Sequence, residues 1–371
     1  MDRQNNKLRM QTILSHCGRN LDASGGYVNV PPYEGSTILH DDMEDLFGRV
    51  DNHLYGDGTA QTYGTDGGPT HEAFYDAMNK LEGGVGTWAF STGLAGCTIP
   101  MMAFLKTGDH MLVTDSVYGP TRQFCEVLLK NFGVEAEFYE PTIGTGIERL
   151  IRPNTRLIYM ESPGTHTFEM QDVPAIAAVA RRHDVVTMID NTYATPINFQ
   201  PLKHGVDVVV HSATKYICGH SDVLMSSVTC NEKTWRQVRS VCKMTGQYAS
   251  AQSVYLGLRG LHTLKVRLDA VGAHTRMVVD WLLKREEVKK VIWPAYEKDP
   301  GYRIYKRDYS GPIGLGYSWG GFESLILRSY GKRTVGDPKI MRTMIRVYIG
   351  LEDPEDMIND LDQAITKMRD V

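Results

Sequence analysis

The sequence predicts an α/β fold with a mostly parallel sheet, followed by a smaller α+β region. Two observations predict the sheet: short apolar runs alternate with amphipathic helical stretches, and these runs are rich in β-branched residues. The runs Val186–Asp190 and Val208–Val210 show the pattern most clearly. Such runs are typical of parallel strands, because helices cover both faces of their sheet.

The sequence predicts three regions in chain order. Residues 1–66 show little regular periodicity and are expected to form an arm that packs on a neighbouring subunit, because so long a segment is unusual inside a compact monomer. Residues 67–250 are expected to form the sheet domain and residues 251–371 a C-terminal α+β domain. The predicted strands and helices are strand 87–90, strand 110–114, strand 155–160, helix 71–81 ending at Gly83, helix 94–105, helix 173–183, a long helical region after residue 250, and helix 355–368.

Composition excludes several classes of function. The 371 residues are 42% hydrophobic and 23% charged, with a net charge of −4. This balance gives no electrostatic reason to expect nucleic acid or a membrane as a partner. The six cysteines show no CxxC spacing, so neither a structural metal nor a disulfide framework is predicted. Reduced thiols and the lack of an apolar leader near the first residues indicate a cytoplasmic protein.

Polar residues follow two of the predicted strands, where ligands bind in open α/β sheets. Asp190 ends one strand, and Ser212, Thr214 and Lys215 follow the other. An acid, two hydroxyls and a lysine at one crevice suit pyridoxal 5'-phosphate (PLP). The lysine can form a Schiff base with its aldehyde, and the acid can hold its pyridine nitrogen protonated. The hydroxyls can bind its phosphate.

Two motifs carry a resemblance to a known family. Asp190-Asn191-Thr192-Tyr193 and Ser212-Ala213-Thr214-Lys215-Tyr216, with Gly219-His220-Ser221-Asp222, resemble the trans-sulfuration (Cys/Met metabolism) family of PLP-dependent enzymes. The resemblance implies a fold-type I, aspartate aminotransferase-like architecture with a seven-stranded, mostly parallel sheet between helices. It also implies an amino-acid substrate and a homo-oligomer, a dimer of subunits that share active sites or a tetramer of two such dimers.

The resemblance implies further cofactor contacts. Phe90-Ser91-Thr92-Gly93-Leu94 is a strand followed by a turn and a helix start, where the backbone N–H groups of Gly93 and Leu94 favour a phosphate. Tyr118, in Val117-Tyr118-Gly119-Pro120, matches the family tyrosine that stacks on the cofactor and can move protons near the substrate amine.

The substrate contacts are expected from the C-terminal region. Arg346 matches the family arginine that binds the substrate α-carboxylate, for which a planar guanidinium is well suited. The string that begins with Ser318 and Trp319 looks like the cystathionine β-lyase version of the family, since relatives that act at the γ carbon usually have leucine in place of this tryptophan.

The chain departs from the family pattern in two places. Tyr63 matches the tyrosine that reaches into the neighbouring subunit's site, but Thr65 stands where many members have an arginine that contacts the cofactor phosphate. In addition, only residues 311–316 stand where the family usually has a longer segment, and the sequence does not show whether this is a true deletion.

The sequence therefore predicts a PLP-dependent carbon–sulfur β-lyase in which Lys215, Tyr118 and Asp190 are catalytic. Two alternatives stay open. One is γ-elimination or γ-replacement on the same cofactor, and the other is a catalytically weak scaffold that keeps the fold. A dehydrogenase is disfavoured, because no GxGxxG follows the first strand.

Overall fold

The computed structural model describes residues 8–19, 21, 24–55, 60–311, 319–336 and 344–369. In chain order the strands of its main sheet are β1 (Gly86–Phe90), β2 (His110–Thr114), β3 (Glu135–Tyr139), β4 (Thr155–Glu161), β5 (Val186–Asp190), β6 (Val208–His211) and β7 (Ser226–Cys230). Their spatial order is β1-β7-β6-β5-β4-β2-β3. Neighbours from β6 across to β3 pair in parallel, whereas β7 runs antiparallel to β6 and β1. The predicted seven-stranded, mostly parallel sheet is confirmed.

Helices lie before, between and after these strands. They are α1 (Met10–His16), α2 (Met43–Tyr55), α3 (Pro69–Glu82), α4 (Gly93–Thr98), α5 (Gly119–Gln123), α6 (Val173–Arg182), α7 (Thr195–Asn198), α8 (Trp235–Met244), α9 (Ala251–Leu282), α10 (Tyr302–Asp308) and α11 (Pro354–Arg369). Short 3-10 or π-helical segments occupy Gly64–Asp66, Ile99–Ala103, Phe124–Leu129, Gly144–Leu150 and Pro201–His204. Among the described helices, none is both long and apolar enough to cross a membrane.

The sheet is buried on both faces, which explains its continuous apolar strands. Alternate residues of one strand enter two separate clusters of buried side chains: Leu112 and Ile158 belong to the larger one, whereas Met111 and Leu157 belong to the other. The larger cluster extends to α3, α6 and α9, and the smaller one to α8. Each face therefore needs apolar residues, and β-branched residues at successive positions satisfy both.

A second, two-stranded sheet lies late in the chain. Its strands, β8 (Leu325–Arg328) and β9 (Ile345–Tyr348), are antiparallel and place Leu327 opposite Arg346. Helix α11 packs against the long helix α9. Arg346 is therefore carried by a sheet that is separate from the one that carries Asp190.

The observed elements differ from the predicted ones in several places. The arm contains the helices α1 and α2, although its sequence shows little periodicity. The helix expected over 94–105 ends at Thr98 and continues as a 3-10 turn, in which Pro100 cannot donate a backbone hydrogen bond. The strand β3 was not predicted, because its residues are only partly buried at the sheet edge and include two glutamates.

Candidate active site

Asp190, Ser212 and Lys215 lie at one edge of the main sheet. Asp190 is the last residue of β5 and pairs with Val210 of the neighbouring parallel strand. Ser212 follows that strand directly, and the Lys215 N–H donates to the Ser212 carbonyl at 3.0 Å. The carboxyl ends of adjacent parallel strands thus bring the acid and the lysine to the same crevice, as the sequence predicted.

The Asp190 carboxylate is oriented by three donors. The N–H and hydroxyl of Thr192 donate to its Oδ1 at 3.0 and 2.5 Å, and the Cys97 thiol donates to Oδ2 at 3.5 Å. Thr192 Oγ1 also accepts the N–H of Ser212 at 2.8 Å. Because Asp190 is only 9% exposed, these donors stabilise a carboxylate that water reaches poorly. The sequence analysis did not assign a role to Cys97.

The Lys215 amine lies between groups of opposite charge. Burial lowers its pKa, and the positive charge of Arg346 lowers it further, while Asp190 acts in the opposite direction. The Lys215 Nζ atom is 5.9 Å from the centre of the Trp319 ring. A lysine with a lowered pKa has more neutral amine near neutral pH, which is the form that can attack an aldehyde or accept a proton.

An aromatic wall connects Lys215 to Arg346. The Trp319 ring stacks on Tyr193 with their centres 3.9 Å apart and also lies 5.1 Å from Tyr216. The Arg346 Nη1 atom donates to the Tyr193 hydroxyl at 3.5 Å, and Arg346 is 6% exposed. The wall therefore brings the predicted carboxylate-binding arginine to the lysine crevice. Tyr193 was part of a quoted motif but was not predicted as a site residue.

Gly320 allows this wall to approach the lysine. Its φ is +93°, and a Cβ atom there would lie 2.5 Å from the Tyr216 nitrogen and 2.6 Å from the Lys215 carbonyl carbon. Only a residue without a side chain fits this contact. The backbone after Trp319 therefore lies directly on the backbone of the lysine turn.

A cradle of small groups lies at the start of α4. The Thr92 hydroxyl caps the helix by accepting the Ala95 N–H at 3.2 Å, and Gly93 and Leu94 begin the helix. A Cβ atom on Gly93 would lie 2.5 Å from the Ser212 hydroxyl oxygen, so the glycine lets the two segments meet. The first amides of a helix have no partner within it and can bind an anion.

Thr214 has a role that the sequence did not indicate. Its hydroxyl donates to the Met225 carbonyl at 3.1 Å and accepts the Met225 N–H at 2.9 Å. One lone pair remains for another donor. The Thr214 hydroxyl already donates its proton to the Met225 carbonyl. It can therefore donate to a phosphate oxygen only if that bond breaks.

Tyr118 is fixed by a buried glutamate. Its N–H donates to Glu161 Oε2 at 2.8 Å, and the hydroxyl of Thr165 donates to the other oxygen. Glu161 ends β4 and pairs in register with Asp190. Burial raises the pKa of Glu161 well above its ordinary value, and the negative charge of Asp190 raises it further. Glu161 was missed, although it follows a predicted strand just as Asp190 ends one.

A family comparison agrees with this geometry. The family model described as Cys/Met metabolism PLP-dependent enzyme matches residues 11–315. The chain belongs to this family.

Known proteins resemble the chain over almost all of its length. It is 40% identical to the putative cystathionine beta-lyase of Rhizobium johnstonii, with 96% of this chain and 95% of the relative covered. It is 35% identical to cystathionine beta-lyase MetC of Escherichia coli, with 97% and 99% covered. The crystal structure of metB from Corynebacterium glutamicum has a TM-score of 0.88 at 28% identity and covers 98% of this chain and 100% of that one.

Members of the Cys/Met metabolism family use PLP, and the residues of the crevice suit this cofactor. PLP has an aldehyde, a pyridine nitrogen and a phosphate. The crevice offers a shielded amine at Lys215, a buried carboxylate at Asp190, and amides beside a hydroxyl where Gly93 meets Ser212. These three features match the three groups of PLP, while the contact of each residue with PLP stays a prediction.

Two predicted site residues remain. Tyr63 precedes the 3-10 turn Gly64–Asp66, and 51% of its surface is exposed, so it is accessible to a neighbouring molecule. Ser318 lies outside the described residues, as do residues 312–316 of the short segment. In the described part of the chain, no cluster of His, Cys, Asp and Glu side chains could hold a metal ion.

Proposed function

We propose that this enzyme is a carbon–sulfur β-lyase that cleaves L-cystathionine to homocysteine, pyruvate and ammonia. The observation that carries the proposal is the wall formed by Trp319 and Tyr193, which joins the Lys215 amine to the Arg346 guanidinium. An amine and a carboxylate clamp at one crevice are the groups that an α-amino acid requires. The names of the relatives from Rhizobium johnstonii and Escherichia coli support the β-lyase assignment.

The residues would divide the reaction among them. PLP, when bound, supplies an electron sink for the negative charge that develops at the substrate Cα. Arg346 holds the α-carboxylate in one orientation through a bidentate contact. The Lys215 amine removes the Cα proton, and its pKa is lowered by burial and by Arg346. Tyr118 lies at the same edge and would assist this transfer.

The second half of the reaction returns the proton. The Cβ–S bond breaks as the electrons left at Cα form a Cα–Cβ double bond, and the Lys215 ammonium protonates the leaving sulfur. The released three-carbon enamine takes up water and gives pyruvate and ammonia. Asp190, held by Thr192 and Cys97, would hold the pyridine nitrogen of PLP protonated.

Two alternatives are less well supported. Chemistry at the γ carbon is disfavoured by Trp319, because the resemblance associates leucine at this position with that reaction. An inactive scaffold is disfavoured because Lys215, Asp190 and Arg346 are brought together around one crevice.

The organisation of the chain belongs to the same proposal. Residues 1–66 would form the arm, residues 67–250 the PLP-binding domain and residues 251–371 the C-terminal domain. The exposed Tyr63 supports a dimer that shares active sites, assembled further into a tetramer. The six cysteines are buried free thiols, which supports the cytoplasm as the location.

The test combines a spectrum with product analysis. The purified enzyme should show the visible absorption band of lysine-bound PLP and should release pyruvate and thiol from L-cystathionine. Lys215→Ala should abolish the band and lower the rate by at least about a thousandfold, because it removes the amine that would form the Schiff base and move the proton. Lys233→Ala is the control, since this exposed lysine only pairs with Asp184 at 2.8 Å.

Two results would contradict the proposal. Release of 2-oxobutyrate instead of pyruvate would assign the enzyme to γ chemistry. Absence of the band in protein incubated with PLP would exclude both reactions and favour the scaffold.

A further inference from the structure

One carboxylate organises the turn that carries Tyr63. The Oδ2 atom of Asp66 accepts the N–H and the hydroxyl of Thr62 at 2.9 Å each, and the N–H of Tyr63 at 3.2 Å. The turn is also tied to the preceding arm, where the Gly64 N–H donates to the Ser36 carbonyl at 2.8 Å. The position of the Tyr63 backbone therefore depends on Asp66.

The other oxygen of Asp66 pairs with a lysine from a distant part of the chain. Lys243, near the end of α8, has its Nζ atom 3.1 Å from Asp66 Oδ1, and the two side chains are 16% and 8% exposed. Burial alone would raise the pKa of Asp66, but bonds from Thr62 and the Lys243 ammonium hold it below its ordinary value. The carboxylate is thus charged, and the pair is shielded from salt.

Helix α8 gives this lysine a fixed base. The helix packs against β1 and β7 of the main sheet and buries Val238 and Cys242. Lys243 thus links a surface turn of the arm to the core of the same subunit. The neighbouring position 65 is an exposed threonine without charge.

We propose that the Asp66–Lys243 ion pair positions Tyr63 for the active site of the neighbouring subunit. This inference rests on the proposed sharing of active sites between subunits. The resemblance implies that many members of the family have an arginine at position 65, which contacts the cofactor phosphate. In this chain the Asp66–Lys243 pair instead holds the turn against its own subunit. Tyr63 would therefore reach the neighbouring subunit in one fixed orientation. Asp66 and Lys243 are positioning residues, because they act through Tyr63.

The perturbation is Lys243→Met, which keeps an unbranched apolar stem and removes the ammonium. We expect kcat/KM to fall by about tenfold to a hundredfold, which is the effect of a misplaced positioning side chain. The PLP band should persist, because Lys215 and Asp190 are unchanged. Lys243→Arg should restore most of the activity, since it keeps the positive charge. Lys80→Met is the matched control, because Lys80 pairs with Asp76 at 2.6 Å while both side chains are about half exposed.

Mixed oligomers decide which site the ion pair serves. We expect that neither Lys215→Ala subunits nor Lys243→Met subunits alone have full activity. In a dimer that contains one of each, the intact Lys215 receives a Tyr63 whose own Asp66–Lys243 pair is also intact. Co-expression in equal amounts should therefore restore about a quarter of the wild-type activity, since half of the dimers are mixed and each has one complete site.

Each outcome of the mixing experiment has one meaning. Activity of about a quarter supports the inference. If Lys215→Ala mixed with Tyr63→Ala recovers activity but the mixture with Lys243→Met does not, the ion pair serves its own subunit and the inference is wrong, while the proposed function stands. If neither mixture recovers, subunits do not share Tyr63 and the inference also fails. A wild-type enzyme without lyase activity would instead contradict the proposed function.

Discussion

Substitution of Asp115 would test how firmly the C-terminal part of the chain is held to the main sheet. Its side chain is fully buried just after β2, three residues before Tyr118. It pairs with Arg122 at 2.5 Å and with Arg333 at 2.9 Å, and it accepts the backbone N–H groups of Thr334 and Val335. One carboxylate therefore joins the segment around 333–335 to the strand end that carries Tyr118.

The cost of Asp115→Asn follows from these partners. An amide has one acceptor oxygen instead of two, and its NH₂ group would face N–H donors. Removing one member of a buried ion pair costs about 3–5 kcal/mol. The lower end of this range applies, because each arginine still has another acidic partner. Arg333 pairs with Glu169 at 2.5 Å, and Arg122 pairs with Glu126 at 3.3 Å. We therefore expect a loss of about 3 kcal/mol, which corresponds to a decrease of about 4 °C in Tm for a chain of this size.

The assay is thermal unfolding of Asp115→Asn beside Asp184→Asn. Asp184 has an 89% exposed side chain that pairs with Lys233, so its substitution should leave Tm unchanged. Limited proteolysis should also cut the region near residue 333 faster in the Asp115 variant. Equal Tm values for the two variants, with equal cleavage near residue 333, would refute the argument that Asp115 fastens this segment.

The remaining predictions concern His166 and Gly320. Burial and the charge of Arg346 lower the pKa of His166 from 6.5 to about 4. Between these two pH values His166 is therefore protonated in the unfolded chain but neutral in the native one. The contribution of His166 to stability is therefore complete above about pH 6.5 and is lost as the pH falls toward 4, by about 2 kcal/mol at pH 5. His166→Asn, which tolerates the φ of +67° there, should remove this loss in urea titrations at pH 7 and 5, and an unchanged pH dependence would contradict the assignment. Gly320→Ala should lower stability by about 1–3 kcal/mol more than the control Gly108→Ala. Both glycines have a positive φ, but of these two only Gly320 has backbone atoms that would clash with a new Cβ atom. Equal losses of stability in urea unfolding would contradict the predicted steric conflict.

The sequence was most informative where burial decides composition. Val208–Val210 and the strand ending at Asp190 are apolar because the sheet is covered on both faces, so the strands and the residues at their ends could be predicted together. The edge strand β3 is not covered in this way, and it contains two partly exposed glutamates. Its sequence therefore lacks the apolar run by which the other strands were predicted. The arm helices escaped prediction for a related reason, since α1 buries only Leu14.

Contacts between distant residues could not be predicted from composition or spacing. The Asp66–Lys243 pair and the bond from Tyr118 to Glu161 join segments that only the folded chain brings together. Gly320 is similar, because its requirement for glycine comes from the backbone of Lys215 rather than from its own neighbours. Resemblance to a family supplies the roles of matched positions, but it does not supply contacts that distinguish this chain from its relatives.

The pairing of β4, β5 and β6 has a consequence for how the enzyme can change. Glu161 lies opposite Asp190, and Asp190 lies opposite Val210, two residues before Ser212. Adjacent strands are about 4.8 Å apart because of their backbone hydrogen bonds, so the spacing of these groups does not depend on any side chain. Substitutions that alter substrate preference can therefore accumulate around Trp319 without disturbing the spacing of these strand ends, as long as Arg346 keeps its contact with the substrate α-carboxylate. A library for new substrate specificities would vary that region and leave the strand ends intact.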